Sequence, residues 1–172
     1  MEYVVLLLRA FLIGVFAVSA VGKLRGRPAW RAFTRSVRRI GRVPGAVVGP
    51  AAVAVVGAEV AIVVLLAVPG GASAGFVLAA GLLAVFSAAL AYAVRGGSTE
   101  PCRCFGREEE PIGARHLGRN AVLLAAAVSG ATLAPAAAGT PVQLAGAVVC
   151  LTAALVAAGA VVLLDDLLYL LR

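Results

Sequence analysis

The chain alternates long apolar stretches with short polar ones. Five apolar runs stand out: Tyr3–Gly22, Ala46–Val68, Ser73–Val94, Leu117–Ala134 and Val142–Leu164, the last extending toward Leu171. Each has the length of a bilayer crossing, which takes about 20 residues. Their Ala, Val, Leu and Gly content suits close helix packing in lipid. Pro69-Gly70-Gly71 and the stretch from Pro135 to Pro141 read as short uncharged turns between antiparallel helices. The pattern predicts an all-α membrane protein, a compact bundle of four to five transmembrane helices forming a single domain over residues 1–172.

One polar stretch has a period of its own. Trp30, Phe33, Val37 and Ile40 recur at helical spacing after Pro28, with arginines on the other faces. This reads as a short basic amphipathic helix lying in the headgroup region after the first crossing. Each arginine there gains about 1 kcal/mol near anionic lipid. An orientation anchor accounts for the helix more simply than a dedicated partner site.

Composition agrees with a membrane protein. Hydrophobic residues make up 62% of the chain, above the roughly 45–50% of soluble domains. The net charge of +7 is concentrated, with eight of 15 basic residues between Lys23 and Arg42 and five more flanking the cysteines at 102 and 104. No aromatic reading surface accompanies them, which argues against nucleic acid as a partner. Positive loops favour the cytoplasmic side. The expected location is therefore the cell (plasma) membrane, multi-pass, with the N-terminus outside and the cysteine loop and C-terminus cytoplasmic. Glu2 precedes the first apolar core and the basic cluster follows it, the reverse of a cleaved secretory signal.

Charges within crossings are expensive, roughly 2.5–3.5 kcal/mol on insertion scales. Arg9 and Glu59 lie at similar depths in the first two crossings, which predicts an Arg9–Glu59 pair. It would either fix helix register or form a polar site for a quinone headgroup or a proton. Asp165 and Asp166 fall near the inner end of the last helix, and Cys150 reads as a small buried apolar residue.

The most chemically specific segment is Pro101-Cys102-Arg103-Cys104-Phe105-Gly106. Arg103, Arg107 and His116 raise the local positive potential, which increases thiolate fraction; Glu108, Glu109 and Glu110 oppose it. A disulfide between residues this close is strained and readily reduced. Three readings follow: thiol–disulfide exchange by Cys102 and Cys104, a metal site using Cys102, Cys104 and His116, or a structural role. A closed zinc site needs a fourth ligand, so exchange is the favoured reading. The non-enzymatic rival is a membrane assembly or scaffold protein whose Cys/His loop binds a metal or a partner.

Three short stretches carry a family resemblance: Ser19-Ala20-Val21-Gly22-Lys23-Leu24, Cys102-Arg103-Cys104-Phe105-Gly106 and His116-Leu117-Gly118-Arg119-Asn120. On these the chain resembles the MauE (methylamine utilisation) branch of the DoxX-like, redox-associated membrane proteins. The resemblance implies a small bundle distantly similar to quinone-linked disulfide enzymes of the vitamin K epoxide reductase type. It also implies help in forming or transferring disulfides as methylamine dehydrogenase matures. Cys102 and Cys104 become the redox pair, and Arg119 and Asn120 supporting polar residues. Quinone is the implied cofactor, and a thioredoxin-like protein or a client enzyme the implied partner, with a homo-oligomer compatible. The client matures outside the cytoplasm, so the pair either reaches toward a quinone in the membrane or serves a cytoplasmic thiol partner. Enzymes of the vitamin K type use two cysteine pairs. A full relay here needs a partner protein or Cys150.

Overall fold

A computed structural model of the chain describes residues 1–41, 44–95, 114–137 and 143–170. They form six α-helices, α1 (Glu2–Leu24), α2 (Arg27–Ile40), α3 (Gly45–Ala67), α4 (Ala72–Arg95), α5 (Ala114–Leu133) and α6 (Leu144–Leu170), with a 3₁₀ turn at Pro135–Ala137. No strand occurs among the described residues. Each of the five apolar runs is helical over most of its described length, and α2 appears where Trp30, Phe33 and Val37 recur. Four helices are long and apolar enough to cross a membrane: α1, α3, α4 and the Leu144–Val161 part of α6. The protein is thus a multi-pass membrane bundle. The fifth helix, α5, has 20 residues, about 30 Å, but its first two turns hold Arg115, His116, Arg119 and Asn120.

α1 is central, packing against α2, α3, α5 and α6, while α4 lies between α3 and α5. The shared core includes Leu12, Val15, Phe16, Ile62, Leu66, Phe76, Leu83 and Leu123. Small residues set how close the helices come. A Cβ at Gly130 would overlap the Phe76 ring, so glycine lets α5 close on α4. Along α6, a Cβ at Gly14 of α1 would meet Ala158 at 3.1 Å, while Tyr3 accepts a hydrogen bond from the Gln143 amide at 3.3 Å. The outer faces carry Val53, Val64, Val77, Val85, Val122 and Val156 in exposed positions. Such an apolar exterior fits lipid as the surrounding solvent, with the backbone groups satisfied inside helices.

α2 is held more firmly than a helix floating among headgroups. Its apolar face docks on α3: Phe33 is 3% exposed and packs with Ala52 and Val56, flanked by Trp30 and Val37. Trp30 and Phe33 meet ring to ring at 5.9 Å. Arg31, Arg35, Arg38 and Arg39 remain exposed. The amphipathic pattern correctly placed a helix here, but the apolar face meets protein because α3 begins beneath it.

Candidate functional site: a buried polar cluster between the first and third helices

Ser19 and Lys23 are one helical turn apart, so they share a face of α1. That face meets Glu59 of α3. Ser19, Lys23 and Glu59 are 2%, 5% and 2% exposed, among an otherwise apolar set of buried side chains. Lys23 Nζ donates to Ser19 Oγ at 2.8 Å and also bonds Glu59 Oε1. Ser19 Oγ donates in turn to Glu59 Oε1 at 2.8 Å. The Lys23 ammonium lies 4.9 Å from the Phe33 ring centroid, near enough for a cation–π attraction. Glu59 Oε2 is buried with no hydrogen-bond partner among the described residues. The cluster therefore neutralises one charge with another and leaves one carboxylate oxygen able to accept a proton or a bond.

The expected Arg9–Glu59 pair does not form. Arg9 Nε donates to the Leu66 carbonyl at 2.7 Å and Nη2 to the Val68 carbonyl at 3.3 Å. These carbonyls belong to the end of α3, where a helix leaves its last acceptors unsatisfied and its dipole favours a cation. The error lies in register. Matching depths assumed that the outer ends of α1 and α3 are flush, whereas α1 is displaced by about two turns, setting Arg9 beside Leu66 and Ser19 beside Glu59. The sequence alone does not mark Ser19 and Lys23 as a site, because Lys23 groups with the loop charges that follow it. One signal pointed to it: Lys23 is the single lysine among 15 basic residues, four residues after a serine.

The remaining candidates do not converge on this cluster. Asn120 Nδ2 donates to Leu83 O at 3.1 Å and Ser87 Oγ at 2.7 Å, tying α5 to α4. Arg119 and His116 are half-buried on α5, and His116 Nδ1 is buried without a hydrogen-bond partner among the described residues. Cys150 is half-buried on α6, with a free thiol. Cys102 and Cys104 lie outside the described residues, as do the side chains of Asp165 and Asp166. No cluster of three metal-ligating side chains occurs among the described residues; two of the three candidate ligands lie beyond them.

The family model described as "Methylamine utilisation protein MauE" matches residues 1–133, ending at the last residue of α5. No curated protein and no solved structure matches the chain. The match covers well over half of the 172 residues, and the chain belongs to the MauE family, a membrane protein linked to methylamine utilisation.

Proposed function

We propose that this MauE-family protein is a membrane thiol–disulfide redox protein that helps form or transfer disulfides during maturation of a partner enzyme of the methylamine pathway. The observation that carries the reading is the Cys102-Arg103-Cys104 spacing. The segment bearing it joins α4 to α5, two helices packed together and bridged by Asn120. By the charge rule, this end of the bundle is cytoplasmic and the N-terminus outside, in the plasma membrane.

In the forward step, a client thiolate attacks the Cys102–Cys104 disulfide and forms a mixed disulfide, releasing one loop cysteine as thiolate. The second client thiolate resolves it. The client gains an S–S bond and gives up two electrons and two protons overall, and the loop pair becomes a dithiol. Reoxidation needs a two-electron acceptor, either the disulfide of a thioredoxin-like partner or a quinone. Arg103 and Arg107 stabilise the loop thiolate released in the first step, and in reoxidation the loop thiolate that attacks the acceptor.

A metal-binding assembly role is the second reading, supported by the unpartnered His116 Nδ1 at the start of α5. Mass-tag alkylation of membranes carrying Cys150→Ala, before and after mild reduction, separates the two. Two tags appearing only after reduction support a labile Cys102–Cys104 disulfide. Reaction of both thiols without reductant, or only after a chelator, rules out the resting disulfide and favours the metal reading.

A further inference from the structure

At the elbow between α1 and α2 the structure contains a cavity of about 330 Å³ lined by Lys23, Leu24, Gly26, Arg27, Trp30 and Arg31. Its volume falls in the range of small-ligand sites, about 300–1,000 Å³. Three of the six lining residues are cations and none is acidic. Lys23 shares its charge with Glu59, whereas Arg27 and Arg31, one turn apart on α2, are exposed. The α2 N-terminus adds positive potential, for Gly26 supplies no side-chain cap to its first amides. An anion is the ligand that this lining favours.

The surface below the cavity says which anion. Val18, Val21 and Leu24, at intervals of three residues along α1, are 47%, 62% and 58% exposed. An apolar strip on the membrane-spanning helix thus leads up to a cationic, aromatic-edged cavity at the depth where headgroups lie. We infer that the α1–α2 elbow is a specific binding site for an anionic phospholipid, its phosphate between Arg27 and Arg31 and an acyl chain along Val18, Val21 and Leu24. The site is independent of the cysteine chemistry. It differs from the general attraction of a basic helix for acidic lipid in using two of the α2 arginines and not the others.

Trp30 is the single tryptophan of the chain and lines the cavity, so its fluorescence reports on the site. The full-length protein is reconstituted in phosphatidylcholine vesicles with an equal mole fraction of either brominated phosphatidylglycerol or brominated phosphatidylcholine. Quenching by the anionic lipid should be favoured roughly tenfold or more, as two arginines facing one phosphate imply. Arg27→Gln/Arg31→Gln should abolish the preference, while Arg35→Gln/Arg38→Gln, which removes the same charge elsewhere on α2, should keep it. All four arginines are exposed, and an unchanged unfolding temperature confirms that each variant is folded. Equal quenching by both lipids, or equal loss in the two double variants, overturns the site in favour of diffuse attraction. Relief of quenching by inorganic phosphate at constant ionic strength overturns it in favour of a free phosphate ligand.

Discussion

Arg9 and Lys23 stand on the same helix, each with a positive charge directed into an apolar bundle, and the bundle answers them differently. Arg9 meets main-chain carbonyls at the end of α3. Lys23 meets a carboxylate, a hydroxyl and an aromatic ring in the interior. Arginine keeps its charge in all environments and spreads it over a planar fork, which suits several weak acceptors at a helix end. Lysine concentrates its charge at one point and fits a compact pocket with one strong counter-charge. The first arrangement supplies a charged donor to the Leu66 carbonyl near the end of α3. The second places two charges out of water, where attraction must offset desolvation.

The contrast can be broken most forcefully at Glu59. Glu59→Gln leaves Lys23 buried without its counter-charge and should destabilise the bundle by about 3–5 kcal/mol, read as thermal unfolding in detergent. Replacing both partners in Lys23→Met/Glu59→Leu should restore most of that stability, because an apolar pair of similar size is often neutral. If the restored protein still supports client maturation, the pair serves only to lock register; if it does not, the pair takes part in function. Arg9→Gln should cost less, about 1.5–3 kcal/mol for charge-assisted bonds, and hydrogen exchange should rise selectively at the outer end of α3. Arg9→Lys should recover part of it. Ser19→Ala should have the smallest effect, about 1 kcal/mol, since Lys23 and Glu59 still bond directly. A loss as large as that of Glu59→Gln would make Ser19 an obligatory link instead.

The helices were legible because their cause is local. Apolar runs of bilayer length, broken at Pro69-Gly70-Gly71 and Pro135, dictate where chain can cross lipid, and the spacing of Trp30, Phe33 and Val37 marks α2. The partners of Arg9 and Glu59 were not legible, since they depend on how far α1 slides along α3. That stagger shows only in contacts between segments far apart in sequence, Ser19 with Glu59 and Arg9 with Leu66. The same holds for α2: its apolar stripe is visible, but only the fold shows that Ala52 and Val56 cover Phe33. The Lys23 cluster was half visible, as a serine and a lone lysine one turn apart with nothing to reveal their acid. The cysteine pair is visible only as chemistry, its geometry lying beyond the described residues.

The 36 positions that separate Lys23 from Glu59 also have a meaning in time. A chain made from its N-terminus presents α1 and α2 to the membrane before the acid that neutralises Lys23 has emerged. Until α3 emerges, the ammonium is best left at the water boundary with the arginines around it. Its burial is then an event of assembly, triggered when the third helix arrives, and α1 reaches its final depth only as part of a pair.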